Sequence, residues 1–336
     1  MSESTSSFQS AMSMLSHVYF APILGTMIRA NVPDLLDGGA GDSEELAKQA
    51  GLHPLSAVRA LRALSAFGVF RELAPGTFAN NAVSNLFRQG GGLRNYALFA
   101  TSEQYLKSAM ALGHSLHTGQ AAHDHALGQK VWEYFRGHPE DNEAFNRGLA
   151  EIRTDEQAAI AAAYDWTGVK SVVDVGAGAG ALLAAIVAGN PAVRGILFDR
   201  PDVLPDAEHL LDTRGVRERC ELVGGSFFEP MEVKADVWIL SQILHDWADA
   251  ECRMILERCR ERMSAGDRLP VIEMIAVPGQ PDAGIAILDM AMMMFAGEAR
   301  QRTEAEYNNL FSATGFDAAR VIETGTAFRI LEAKPS

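Results

Sequence analysis

The residues best suited to chemistry stand where buried strand patterns end. Ala235-Asp-Val-Trp-Ile-Leu-Ser-Gln-Ile-Leu244 is nearly continuous in apolar side chains and runs directly into His245-Asp246-Trp247-Ala-Asp249. Helical spacing begins at Cys252 and continues to Met263. His245 is therefore expected at the carboxyl end of a central strand, the edge on which open α/β sheets hold their ligands. A lone histidine there is more often a packed residue than a catalyst. Further on, however, Leu269-Pro270-Val271-Ile272 reads as another strand and ends in Glu273. An imidazole and a carboxylate on adjacent strand ends make a general base and the group that orients it.

These residues need an element that brings a reactive partner to them. Val172-Val-Asp-Val-Gly-Ala-Gly-Ala-Gly180, followed by the Ala/Leu-rich segment Ala181 to Ala188, reads as strand, tight glycine turn and helix. A second strand, Gly195-Ile-Leu-Phe-Asp199, ends in an acid placed to accept hydrogen bonds from two ribose hydroxyls. A dinucleotide fingerprint has its third glycine three residues after the second, so that a pyrophosphate sits on the helix N-terminus. Here the spacing is G-x-G-x-G, and Asp174 brings a carboxylate to the place where a phosphate would be repelled. The pattern fits a nucleoside without phosphate, such as S-adenosylmethionine. On this motif alone, a nicotinamide site and a glycine turn without a ligand remain alternatives; the His245 box decides for the methyl donor.

Taken together, the glycine loop, Gly224-Gly-Ser-Phe-Phe-Glu-Pro230, the His-Asp-Trp-x-Asp box, Glu273 and Arg300-Gln-Arg-Thr303 resemble the small-molecule O-methyltransferases of the caffeic acid type. That family includes plant phenylpropanoid enzymes and bacterial enzymes acting on phenazines, polyketides and other aromatic natural products. The resemblance covers nearly the whole chain. It implies an α/β fold: a Rossmann-like class I methyltransferase domain with an N-terminal, mostly helical winged-helix dimerisation domain. The expected division is 1–92 for the dimerisation domain, 93–154 for a helical bridge contributing to the substrate pocket, and 155–336 for the S-adenosylmethionine-binding domain. Asp174, Gly176, Gly178, Gly180, Asp199, Arg200, Ser226, Phe227 and Ser241 are the implied cofactor contacts. His245, Glu273 and Gln301 are the implied catalytic positions. Phe145, Leu149, Trp247, Asp289, Met292, Met293, Phe295 and Ala296 are the implied contacts to a small aromatic hydroxylated substrate. For Phe145 and Leu149 a plain helix-packing face is nearly as good an alternative, and a Met-rich helix such as 287–296 is by itself more often adaptable core. No metal is implied.

Two positions depart from the family. An acid normally follows the paired glycines after the third strand, and this chain has Ser226. The late motif normally supplies a second glutamate beside the histidine, and this chain has Gln301. The imidazolium is then expected to have one carboxylate fewer. This keeps open the N-methylating, hydroxylating and pericyclic branches to which the scaffold has drifted.

Composition narrows the classes further. With 336 residues, 48% of them hydrophobic, two domains with sizeable cores are possible. No run of 18 apolar residues suggests a membrane span, and Met1 to Met12 is Ser-rich without the layout of a secretory signal. Cys220, Cys252 and Cys259 show no metal spacing and suit a reducing, cytoplasmic compartment. The N-terminal third reads as a winged helix: a helical run from His17 to Leu36, a capped helix after Asp42, a helix opened by Pro54, and short strands after Gly68 and Gly76. Such modules often bind DNA, which raises a ligand-sensing regulator as the other class. The net charge of −14, and a recognition helix with only Arg59 and Arg62 as cations, argue against a nucleic acid partner and for a homodimer. His114, His117, His123, His125 and His138 lack a metal-binding motif and are read as a solvated, loop-rich surface.

Overall fold

In the computed structural model, which describes residues 7, 11, 12, 14, 15 and 17–336, the chain divides into two compact units. One comprises residues 1–107 and 132–152, the other residues 108–131 and 153–336. Met1 to Met12, read above for a targeting signal, lies outside the described residues apart from Ser7, Ala11 and Met12.

In the first unit, the helical run from His17 is interrupted. Helix α1 (Phe20–Arg29) stops because Asn31 adopts a left-handed conformation, φ 57°, and Pro33 then opens a separate single turn. Helix α2 (Ser43–Gln49) is capped by Asp42, whose carboxylate accepts from the Glu44 and Glu45 N–H groups at 2.9 and 3.2 Å. Helix α3 (Pro54–Ala66) has proline in its first turn, where no backbone donor is missed. Strands β1 (Gly41–Asp42), β2 (Phe70–Ala74) and β3 (Thr77–Asn80) form an antiparallel sheet in the order β1-β3-β2. Ile28, Leu46, Leu61, Leu64, Phe70 and Phe78 fill one core beneath them. This is a winged-helix arrangement.

The next stretch is helical: α4 (Arg94–Ala100), α5 (Glu103–Met110), α6 (Leu112–Thr118), α7 (Ala122–Leu127), α8 (Val131–Gly137) and α9 (Pro139–Ala163). The loops expected here are therefore corrected to helix, and the solvated surface holds for His117, His125 and His138, which are exposed, but not for His123. His123 is wholly buried on α7, and its Nδ1 lies 3.1 Å from the Gln129 carbonyl. His114 and His125 stack at 4.0 Å. The cause is the packing of α7 on a later helix, described below, which buries its inner side. Among the described residues, no group of three His, Cys, Asp or Glu side chains is arranged for a metal ion. Nor is any helix long and apolar enough to cross a membrane.

The second unit is built on β4 (Ser171–Val175), α10 (Ala181–Gly189), β5 (Arg194–Asp199), α11 (Leu204–Thr213), β6 (Cys220–Gly224), β7 (Val237–Ser241), α12 (Asp249–Arg262), β8 (Leu269–Glu273), α13 (Ala283–Ala296), α14 (Glu304–Ala313), β9 (Arg320–Glu323) and β10 (Arg329–Ala333). The sheet order is β6-β5-β4-β7-β8-β10-β9, with β10 antiparallel to both neighbours. Alternate residues serve opposite cores. Val172, Val237 and Ile239 meet Leu182, Leu183 and Ile186, while Val173, Val175, Trp238 and Leu240 meet Ile255, Leu256, Tyr307 and Phe311. Apolar side chains on both faces are what a parallel sheet covered by helices requires. Because β5 and β7 flank β4 on opposite sides, the chain reverses its direction of travel there. The crevice outside the carboxyl ends of β4 and β7 is the place such a sheet offers a ligand.

Candidate active site

Both sequence motifs emerge at that crevice. Gly176 and Gly178 follow β4 with φ of 76° and 55°. A Cβ on Gly176 would come within 2.5 Å of Ile243 Cδ1, whereas one on Gly178 would meet nothing within 4 Å. Gly178 therefore presents bare backbone to open space. Asp199, at the end of β5, accepts from the Gly178 N–H at 2.7 Å and from the Arg200 N–H at 2.7 Å. Burial raises its carboxyl above the ordinary value, and these backbone donors and Arg200 oppose the rise. Asp174 is buried, and its Oδ1 has no hydrogen-bond partner. Burial first, and the Asp199 charge second, push its carboxyl up to about 7. Gly180, in a left-handed conformation, precedes α10.

Other expected cofactor contacts lie around this loop. The Arg200 guanidinium pairs with Asp202 at 2.9 Å. Ser226 accepts from the Phe228 N–H in the turn after β6. Phe227 forms an edge-to-face cluster with Phe228 and Trp247, with ring separations of 4.9 and 5.9 Å. Ser241 closes β7, half-buried.

The base end is more tightly bound. After β7, Gln242 takes φ 57° and its N–H donates to Ile272 O at 2.9 Å. That conformation is costly for a residue with a side chain and persists where its surroundings over-determine it. A single 3-10 turn, 244–246, then presents His245, which is 3% exposed, against the fully buried Glu273. His245 Nδ1 lies 2.5 Å from Glu273 Oε2, and the Leu244 and His245 N–H groups donate to Oε1 at 3.0 and 3.3 Å. An ionised carboxylate only accepts, so the Nδ1 proton belongs to the imidazole. On the other side, Nε2 lies 3.3 Å from Asp246 Oδ1. A carboxylate thus stands at each ring nitrogen, the one at Nε2 supplied by the acid of the His-Asp-Trp-x-Asp box, while Gln301 offers an amide where the resemblance implies a further glutamate.

Gln301 is buried, its N–H donates to Asp289 Oδ1 at 2.7 Å, and its side-chain amide has no partner. Asp289 therefore ties α13 to the segment before α14. Asp289 and Met293 line a cleft of about 410 Å³ with Arg300 and Gly297. Met292 and Phe295 are half-buried, Phe295 lies 5.7 Å from the His123 ring, and Ala296 is exposed. Phe145 and Leu149 belong to the first unit. There Phe145 packs among Phe99, Phe135 and Trp132 at 5.1, 5.0 and 5.9 Å.

Several residues at the site escaped the sequence reading. Asp246 belongs to the His-Asp-Trp-x-Asp box but spacing gives it no role, and Gln242, three residues before the histidine, carries no signal. His123 looked like one of a surface group. Arg302 and Asp249 lie inside the quoted motifs, but their mutual contact joins segments 53 positions apart.

Comparison with known proteins gives the same assignment. Residues 104–317 match the O-methyltransferase domain and residues 12–90 the O-methyltransferase dimerisation domain. The chain is 36% identical over 324 residues, 96% of its length and 94% of the other's, to a phenazine O-methyltransferase of Lysobacter antibioticus. It superposes on the structure of a mitomycin 7-O-methyltransferase with a TM-score of 0.94, at 31% identity and covering 99% of this chain and 98% of that one. A TM-score of 0.83, at 28% identity and 94% and 96% coverage, relates it to a neocarzinostatin-biosynthesis O-methyltransferase solved with S-adenosylmethionine and 2-hydroxy-5-methyl naphthoic acid. The chain belongs to the O-methyltransferase family.

Proposed function

We propose that this protein is an S-adenosylmethionine-dependent O-methyltransferase acting on a hydroxyl of a small aromatic natural product, with His245 as general base. The carrying observation is the His245–Glu273 pair, 2.5 Å apart, on strand ends beside the glycine loop. The crevice suits a cationic nucleoside. Asp174 leaves a buried carboxylate oxygen unpaired, Gly178 exposes backbone, and two acids in one crevice would repel a pyrophosphate. When bound, S-adenosylmethionine supplies an electrophilic methyl group on a sulfonium.

The protein's part follows from its own groups. A phenolic hydroxyl has a reference pKa of about 10 and is mostly neutral at pH 7. His245, its Nδ1 proton engaged by Glu273, offers Nε2 to take the hydroxyl proton. The imidazolium so formed lies between two carboxylates, Glu273 at Nδ1 and Asp246 at Nε2. Much of the acceleration comes from placement. Trp247, Asp289, Met292, Met293, Phe295 and Ala296, with Phe145 and Leu149, are our candidates for acceptor contacts, the flat apolar side chains suiting a ring. Gln301 is assigned beside the base as a neutral amide. Asp174, Gly176, Gly178, Gly180, Asp199, Arg200, Ser226, Phe227 and Ser241 are assigned to the cofactor. In this reading residues 1–92 serve dimerisation, 93–154 form the bridge and 155–336 carry the chemistry, in a cytoplasmic enzyme.

The test is product mass spectrometry after incubation with S-adenosylmethionine and hydroxylated phenazines, naphthoates, flavonoids and quinones. A gain of one methyl on oxygen is expected. A methyl on nitrogen, a gain of one oxygen, or an isomer of unchanged mass would each overturn the O-methyl assignment. The dimerisation match, together with Val18 and Tyr19 at 69% and 70% exposure, supports a homodimer. Light scattering at micromolar concentration showing a monomer would remove it.

A further inference from the structure

We propose that Arg302 is a positioning residue for His245: a buried guanidinium that clamps the carbonyls on either side of the histidine and so holds its turn against Glu273. The inference rests on the assignment of His245 as the base.

Arg302 is 0% exposed. Its Nη1 donates to Leu244 O at 2.6 Å, its Nη2 to Trp247 O at 2.7 Å, and its Nε and Nη2 to Asp249 Oδ1 at 3.0 and 2.8 Å. Leu244 is therefore held from both ends. Its N–H goes to the buried acid Glu273 and its C=O to the buried base Arg302. The turn carrying His245 has its amides fixed by one ion and its carbonyls by the other.

A purely structural explanation fits poorly. Among the described residues the carboxylate on Arg302 is that of Asp249, which is 38% exposed and shared with Arg300 at 3.1 Å. Burial alone would raise the Asp249 carboxyl, but the hydrogen bonds from Arg302 and Arg300 outweigh this and hold it below its ordinary value. A fully buried cation set against a partly solvated acid gains little net stability over apolar packing. What it provides is geometry. A planar fork can reach two carbonyls three residues apart and a carboxylate at once, which an ammonium cannot. The backbone of Arg302 is anchored too, its carbonyl accepting from the Ala276 N–H at 3.1 Å, just beyond β8. The clamp thus refers the turn to the strand that bears Glu273.

The test uses the full-length protein. Arg302→Lys keeps the charge and loses the fork. A displacement of about 1 Å at a reacting group costs about a hundredfold, so kcat for an acceptor found in the panel above should fall about ten- to a hundredfold. Affinity for S-adenosylhomocysteine should stay within about twofold, because none of the clamped atoms belongs to the glycine loop. The second readout needs no acceptor. In ¹⁵N-histidine spectra, with the His245 signal assigned by its loss in His245→Asn, the wild type should show one tautomer protonated at Nδ1, and Arg302→Lys an averaged or mixed signal. Asp249→Asn, which loosens the guanidinium without removing it, should produce the same changes to a smaller degree and serves if Arg302→Lys does not fold. A folded variant with wild-type kcat and an unchanged His245 signal would overturn the proposal. If His245→Ala left turnover intact, the base assignment would fail on its own, and the spectra would still report whether Arg302 sets the ring.

Discussion

The two ends of the candidate site in the second unit are built to opposite rules. At the base end, Glu273 takes contacts on both oxygens, Leu244 is tied through both backbone groups, and the buried Arg302 side chain places four hydrogen bonds. At the nucleoside end, Asp174 Oδ1 is buried without a partner, and Gly178 faces open space. Leaving a buried polar atom unmet costs about 1–3 kcal/mol. A protein that ties down the backbone and the acid of its proton-transfer turn, yet leaves the Asp174 oxygen in the glycine-loop crevice unmet, has separated two tasks. Preorganised polar groups stabilise charge as it develops. Unpaired ones are corrected only when a ligand arrives.

The sharpest way to break this comparison is His245→Ala. If the base end handles protons and not the nucleoside, methyl transfer should fall by about a hundred- to ten-thousandfold. S-adenosylhomocysteine affinity, measured by calorimetry, should hardly change. A variant that methylates at the wild-type rate would make His245 a structural residue. Glu273→Gln probes the same end more gently, because the amide keeps the shape and loses the charge that stabilises the imidazolium. We expect a loss of about ten- to a hundredfold in kcat with KM for the cofactor unaltered. Equal losses in both would join the two ends into one unit.

Most of the site's layout was visible in the sequence because it depends on local order. Strand, glycine turn and helix are set by residues within ten positions of one another, and Asp174, Asp199, His245 and Glu273 each close a β-branched or apolar run. The misses came from contacts between distant segments. The approach of the Asp246 carboxylate to the ring is not legible because spacing cannot show which way a side chain turns in a 3-10 turn. His123 looked solvated because nothing in its own sequence reveals that α7 packs on α13. The break at Asn31 depends on one residue accepting a left-handed backbone, which apolar periodicity does not register.

The unmet carboxylate makes the nucleoside end sensitive to pH. Asp174 has an ordinary value of 3.8, pushed up to about 7 in the folded chain. The folded state thus holds this proton more strongly than the unfolded one. The associated stability is complete below about 4 and is lost as the pH rises through about 7. A cationic ligand prefers the ionised carboxylate, so its affinity should move the other way. With half-ionisation near pH 7, S-adenosylmethionine should bind about tenfold more weakly at pH 6 than at pH 8. Asp174→Asn should flatten that dependence. Calorimetric titrations across this range decide it, and a profile unaltered by the substitution would assign the proton to another group.

The smallest expected effect lies within the glycine loop and tests how finely the open end is shaped. Gly176 and Gly178 both hold positive φ, so alanine at either carries a backbone strain of about 1–2 kcal/mol. At Gly178 nothing else opposes the methyl group. At Gly176 it would meet Ile243 Cδ1 at 2.5 Å, the residue two before His245, and Ile243 would have to move. Gly178→Ala should therefore cost about 1 kcal/mol in urea unfolding, near the lower end of that strain, and leave the ¹⁵N signal of His245 in place. Gly176→Ala should cost about 1 kcal/mol more, as overpacking does, and shift that signal. Equal losses, with the histidine undisturbed in both, would mean that the loop and the base turn are mechanically independent, and the contrast between the two ends would then extend to their motions.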